Sequence, residues 1–529
     1  MASSGLPIHI HCSAQKPSVS SSANFDHLKS TLSSAFKPFL KQIERLPLRI
    51  DVAPQTLNNT CLKLVDAAVD SVFEFADQPL LPSQSNFGPV DEMKEAVQVT
   101  NIQGEIPRDF AEGVYIRNGP NPIFGALTST SSMFGRSSYT WIEGEGMLHA
   151  LYFCKGVEGD WTVLYKNRYV ETETLKLEKQ RNKPSFLPAL EGDSPAILSA
   201  YLLNMLRYGK VNKEISNTNV FEHGGKMYSI AENHKPQEIN ILTLETLNDW
   251  DVNGGWKRPF SSHPKKAPGT GELVILGIDA TKPFAELGVI SADGNTLLHR
   301  ADLKLNRCSL CHEIGVTQRL MKYEKEGYAR IGIMPRYGSA DSIQWFKVVM
   351  WGCRALDSII PGPDKGQNKF DWFSRKLRPI KPIEGSMDAV SEDQLVFPRP
   401  YEWRMNKQTG GVKERNLTGT EYSMDFPFIN EGFKENEVEG LIKVEYHMFE
   451  KNTFGTGAAF VPKQGGVEED DGWVVTKPVA RITLPFRVPY GFHGTFRPMQ
   501  LQNDILSIIP SLNSKIVKSI SPSYSQIHE

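Results

Sequence analysis

The sequence predicts an all-β chain built as a propeller or a large barrel, and two observations carry that expectation. Beyond Asn86, short runs with strand composition alternate with Gly, Pro, Asn and Asp turns. Within that region one stretch has the composition and apolar spacing of a helix. Many short strands without long helices fit closed β architectures. No strict per-blade repeat such as Trp-Asp is present, so periodicity leaves propeller and barrel both open.

Taken in order, residues 1–25 are Ser-rich and contain no acidic residue, the composition of a plastid transit peptide; a disordered tail is the plain alternative. Residues 26–85 carry two amphipathic helical patterns. From Pro38 to Leu46, apolar Phe39, Leu40, Ile43 and Leu46 fall at helical spacing. From Thr60 to Phe75, Leu62, Val65, Val69, Val72 and Phe73 share one face, opposite Lys63, Asp66, Asp70 and Glu74. Such a helix packs on its own core or lies in a membrane interface. Residues 86–529 form the β-rich domain. Its strand-like runs are GKMYSIAEN, GELVILGID, LGVISADGNTLLH, GYARIGIMPRY, LIKVEYHMF, DGWVVT and VARITLPFRV. Residues 186–211, around AILSAYLLNMLRYGK, read as a helical insertion.

Composition narrows the class. The 529 residues are 40% hydrophobic, enough for a large core, and a formal net charge of -2 gives no reason to expect nucleic acid. No run of 18 apolar residues offers a membrane span. Six irregularly spaced cysteines argue against a disulfide scaffold and for a reducing compartment.

The histidines are the candidate chemistry. His263 in FSSHPKK, His312 in CHEIGVT and His493 in VPYGFHGTF stand in unusual contexts, and none belongs to a short-range motif such as HExxH. Cys308-x-x-Cys311-His312 has the spacing of a c-type haem attachment site. Covalent haem attachment needs a translocated compartment, and no charged-then-apolar signal segment opens the chain, which disfavours that reading. Spacing alone leaves His312 as a haem ligand, another metal ligand, or neither.

Longer motifs carry a resemblance. VYIRNGPNPIF, WIEGEGMLHALYF, HPK, HE, ARIGIMPRY, EEDDGWVV and LPFRVPYGFHGTF occur in that order across residues 86–500 and resemble the carotenoid cleavage dioxygenases of plants, of the 9,10-cleaving or apocarotenoid-cleaving type. The resemblance implies a seven-bladed β-propeller with a helical cap and an apolar tunnel. It implies one Fe(II) on the propeller axis, bound by four histidines from different blades. Three of those positions match His263, His312 and His493, making Cys308 and Cys311 bystanders. In that family acidic side chains brace the ligand rings; Glu232 in SIAEN and Asp425 in MDFPFIN match two such positions, and Gly457 stands at a third. No catalytic residue beyond the metal site is implied.

The chain also departs from the family. The strand carrying the fourth His should follow PRY…WF, yet no His lies between His312 and His447. His447, in KVEYHMFEKN, matches a blade strand away from the iron. The junctions in HEIGVTQRLMKYEKEG, FINEGFKENEVEGLIKVEYHMF and GWVVTKPVARITLP are also short, the texture of a splice variant or an imperfect gene model, with incomplete blades as the consequence.

The implied reaction is oxidative cleavage of one C=C bond of a carotenoid or apocarotenoid by O2, giving aldehyde or ketone products. The alternative is a catalytically impaired relative that at most binds apocarotenoids. Membrane-dissolved substrates make the N-terminal amphipathic helices an expected peripheral membrane dock. The expected location is the plastid stroma, with the cytoplasm as alternative.

Overall fold

Strand-length runs separated by glycine turns fold here into successive antiparallel sheets. The computed structural model describes residues 65–77, 88–305, 314–348, 369–371, 401–416, 461–463, 472–473 and 479–501, with short breaks at 94, 125–127, 140–142, 157–158, 190, 233, 280–281, 317–318 and 326–328. Three four-stranded meanders follow one another in chain order. The first runs through Asn219–His223, Lys226–Ile230, Gln237–Ile239 and Thr246–Asp249. The second runs through Lys265–Lys266, Leu273–Ile278, Ala285–Ile290 and Leu297–Asp302. The third runs through Gly315–Val316, Arg319–Lys325, Ala329–Pro335 and Gln344–Val348.

A further sheet closes the chain on itself. Gly113–Pro120 pairs on one side with Gly146–Lys155 and on the other with Gly494–Pro498, a strand from the far end of the sequence. Trp161–Tyr169 and Val97–Gln98 complete its outer edge.

Each sheet packs face to face on its neighbours. Val114, Ile116, Leu148 and Tyr152 of the closing sheet meet Val220, Met227 and Ile239 of the first meander. Tyr228, Ile230, Trp250, Trp256 and Phe260 meet Leu273, Ile275 and Ile290 of the second. Val274, Leu276 and Leu287 continue to Ile314 and Met334 of the third. The other face of the closing sheet sets Phe153, Val163, Tyr165 and Phe496 against Val461, Ala480 and Ile482. Central strands such as Ala285–Ile290 are therefore buried on both faces and read as near-continuous apolar runs, interrupted here by Glu286, which pairs with Arg258 and Arg300. Fully burying each large side chain contributes about 1.5–3 kcal/mol.

Among the described residues three helices form a cap beside this array, the first of them over residues 65–72. Thr172 caps Glu173–Arg181 by accepting from Leu175 N, and Asn182 ends it in the left-handed region at φ 51°. Its mean composition is polar, with Leu175 the buried apolar anchor, so apolar spacing did not disclose it. The predicted insertion helix is Ser194–Tyr208, with Pro195 in its first turn and Gly209 ending it at φ 67°. Lys213 pairs with Glu145 and, at 3.2 Å, with Glu178, tying the short helix to the closing sheet.

One expectation is corrected. The helix over residues 65–72 does not offer a free apolar face: Ala68, Val69 and Phe73 are buried against Phe134, Leu187, Ala196 and Leu203. Its charged face is engaged as well. Asp66 bonds Arg207 at 2.6 Å and Arg181 at 2.9 Å, and Asp70 pairs with Lys183. The pattern read as helix to Phe75 turns instead into a strand, Glu74–Asp77, paired with Thr128–Ser132. The segment from Pro38 to Leu46 and the run LIKVEYHMF lie outside the described residues. No helix among the described residues is long and apolar enough to cross a membrane.

Candidate metal centre

The leading strands of the sheets lie against one another. Asn219–His223 runs beside both Gly494–Pro498 and Gly113–Pro120, and Lys265–Lys266 runs beside Gly315–Val316. Glu222 bridges two of them through Lys266 and through Arg497 at 3.6 Å. His263 stands two residues before Lys265–Lys266 and His493 immediately before Gly494–Pro498. Both rings thus enter from the same end of their strands, and their centroids are 4.6 Å apart with planes at 89°. Residues 230 positions apart in the chain meet edge to face. His263 is buried and His493 exposed.

The segment leading to His263 is pinned at Phe260, Ser261 and Ser262. Phe260 N donates to His234 O at 3.2 Å, and Ser261 N to Leu276 O at 2.7 Å. Ser262 O accepts from Asn219 Nδ2 at 2.8 Å, while Ser262 Oγ donates to Glu232 Oε1. Glu232, predicted as a brace, is therefore beside the His263 segment.

The His493 segment is pinned by backbone. His493 N donates to Thr218 O at 3.2 Å, and Asn118 N donates to His493 O at 2.9 Å. Phe492 N donates to Asn118 O at 3.1 Å. Here glycine is required: a Cβ on Gly119 would stand 2.8 Å from Gly491 Cα, and one on Gly491 would stand 2.9 Å from Gly119 Cα. Asn118, fully buried, sends its amide to Ser216 O and Ser229 Oγ, both at 2.9 Å, and so fixes the strand under this loop.

Other described histidines have structural duties. His234 Nε2 accepts from Ser216 N at 3.0 Å, so its proton sits on Nδ1, facing Lys235 O. Burial pushes its pKa down. His149 Nδ1 contacts Tyr165 Oη at 2.8 Å, and burial together with the Arg117 charge pushes its pKa down to about 3. His223 Nε2 bonds Ser291 O and His299 Nε2 bonds Gly338 O.

His312, Asp425, His447, Cys308, Cys311 and Gly457 lie outside the described residues. Among the described residues no group of three or more His, Cys, Asp or Glu gathers to hold a metal. The two imidazoles that do meet, His263 and His493, offer nitrogen donors of a kind that suits iron. The sequence reading did not single out Ser262, Asn219, Asn118 or the Gly119–Gly491 contact. Their roles depend on hydrogen bonds between distant segments, which spacing does not encode.

A family model described as retinal pigment epithelial membrane protein, RPE65, matches residues 87–321. A carotenoid 9,10(9',10')-cleavage dioxygenase of Crocus sativus is 24% identical, over 86% of this chain and 96% of its own length. The chloroplastic 9-cis-epoxycarotenoid dioxygenase NCED1 of Oryza sativa subsp. japonica is 24% identical, over 84% of this chain and 80% of its own. Cobalt-substituted Synechocystis apocarotenoid oxygenase superposes with TM-score 0.54 at 18% identity, covering 79% of this chain and 98% of that one. The likeness of structure gives the fold, which is that of the apocarotenoid oxygenase β-propeller.

Proposed function

We propose, for a chain that belongs to the carotenoid cleavage dioxygenase family, that it is a non-haem iron dioxygenase cleaving a C=C bond of a carotenoid or apocarotenoid to two carbonyl products. The observation that carries this reading is the meeting of His263 and His493 at one end of the leading strands. His312, which the sequence places three residues before another leading strand, is the third ligand. Glu232 and Asp425 brace the ligand rings, Glu232 being held by Ser262 beside His263. Iron(II), when bound, supplies the activation of O2. The protein's own part is to hold the imidazoles neutral and fixed, and to seat a rigid polyene so that one double bond lies beside them. The relatives' names favour the 9,10 bond.

The seven-bladed count rests on the family resemblance; the described residues supply eight sheets toward it, a five-stranded sheet that includes Glu74–Asp77 and Lys369–Asp371, the closing sheet, three meanders, and two-stranded pieces at Tyr401–Met405/Val412–Asn416, Val461–Pro462/Gly472–Trp473 and Ile102–Gly104/Ala480–Ile482. The substrate class favours a membrane dock, and the structure offers a different surface from the one the sequence indicated. Leu198, Leu202, Met205 and Leu206 form an exposed apolar stripe along Ser194–Tyr208. Chloroplastic relatives favour the plastid.

A second reading has its own observation. No His lies between His312 and His447, so the fourth ligand of the family pattern is absent from the sequence. On that reading the chain is an impaired relative that at most binds apocarotenoids. Iron content and product mass separate the two. About one iron per purified chain, with aldehyde or ketone released from β-carotene or an apocarotenal, supports the dioxygenase. An iron-free chain releasing neither product supports the second reading.

A further inference from the structure

Two residues join the histidine segments: Asn219, at the start of the first meander, and Ser262, before His263. Thr218 O accepts from His493 N at 3.2 Å, and the next residue, Asn219, donates through Nδ2 to Ser262 O at 2.8 Å. One dipeptide therefore grips the backbone of both histidine-bearing segments. The grip is itself fixed. Asn219 Oδ1 accepts from Val220 N at 2.8 Å, which sets the amide so that Nδ2 must face Ser262. Asn118 Nδ2 reaches Asn219 O at 3.2 Å from the strand that also bonds His493. Ser262 is fully buried, and its hydroxyl donates to Glu232. Its carbonyl and its hydroxyl have different partners, so Asn219 holds the peptide from which both His263 and the Glu232 tether extend.

We propose that Asn219 is a positioning residue that sets the separation of the His263 and His493 rings, acting through the Ser262 carbonyl. The inference rests on the metal-binding reading of those rings. It adds to it a residue that is not itself a proposed ligand and acts through backbone. The chemistry demands a donor here. An aspartate at this position has the same shape but would turn a second acceptor toward the Ser262 carbonyl, forcing the two segments apart.

Cobalt(II) titration of the full chain tests this, read by the visible ligand-field spectrum, with thermal unfolding of the metal-free protein in parallel. Outer partners of metal ligands typically change affinity by roughly 10–100-fold. Asn219→Asp and Asn219→Ala should each weaken cobalt binding by about tenfold or more and alter the spectrum. Asn219→Ser, which keeps a donor, should recover part of both. Should the aspartate variant fail to fold, the Ala and Ser pair decides. Equal affinity and an unchanged spectrum in Ala and Ser variants would overturn the inference while leaving the metal reading intact. A wild-type chain that takes up no cobalt, like His263→Ala, would overturn the metal reading and the inference with it.

Discussion

Individual side chains decide whether two imidazoles from distant segments can share an ion. Gly119 and Gly491 approach so closely that a methyl group on either meets backbone. Gly491→Ala should cost about 1–3 kcal/mol of stability, the usual range for overpacking, measured by urea unfolding. It should also displace the loop that carries His493. Acid sensitivity belongs to this scale too. His149 is held down to about 3 by burial and by the Arg117 charge, and burial lowers His234 as well. Both have folded pKa values below the ordinary histidine value of 6.5. The unfolded chain therefore takes up protons first as pH falls through that value. Stability is full above it and declines below it, continuing for His149 toward pH 3. Each such group contributes a slope approaching about 1.4 kcal/mol per pH unit. Thermal midpoints at neutral pH and in mild acid should fall accordingly, and His149→Gln should flatten the acid limb.

At the level of elements, the cap is held by ion pairs that the helical wheel displayed as a solvent face. Burial alone would raise the Asp66 carboxyl, but Arg207 and Arg181 outweigh it and hold it below the usual range. The Arg207 side chain is only 1% exposed, so Asp66→Asn leaves its charge in a poor environment. We expect a loss of roughly 2–3 kcal/mol in urea unfolding, below the full cost of breaking a buried pair because Asp66 itself is partly exposed. The exposed stripe of the Ser194–Tyr208 helix predicts a different result. Leu202→Glu combined with Leu206→Glu should leave stability nearly unchanged and abolish sedimentation with plastid-lipid vesicles. Retained sedimentation would remove this helix as the dock.

For the whole molecule, closure of the sheets and the proposed metal site meet at one strand. The strand Gly494–Pro498 both completes the closing sheet and follows His493 directly. A ligand bound only by the folded state stabilises it by RT ln(1 + [L]/Kd), about 2.7 kcal/mol at a hundredfold excess over Kd. Iron(II) or cobalt(II) should therefore raise the unfolding midpoint, and a chelator should reverse the rise. A midpoint indifferent to both would count against any metal at this end of the propeller.

The sequence by itself determined the material of the fold. Strand-length runs such as GELVILGID and GYARIGIMPRY were legible because apolar composition and turn residues are local properties. The insertion helix was legible for the same reason, with Pro195 and Gly209 marking its ends. His263 and His493 were legible through the motifs around them. Tertiary structure alone decided that the face of the 65–72 helix is core, that the apolar stripe lies on Ser194–Tyr208, and that Thr218 and Asn219 hold both histidine segments. Amphipathicity states that a face must be covered, not by what. A hydrogen bond between distant segments is fixed only when the sheets that carry them are packed together.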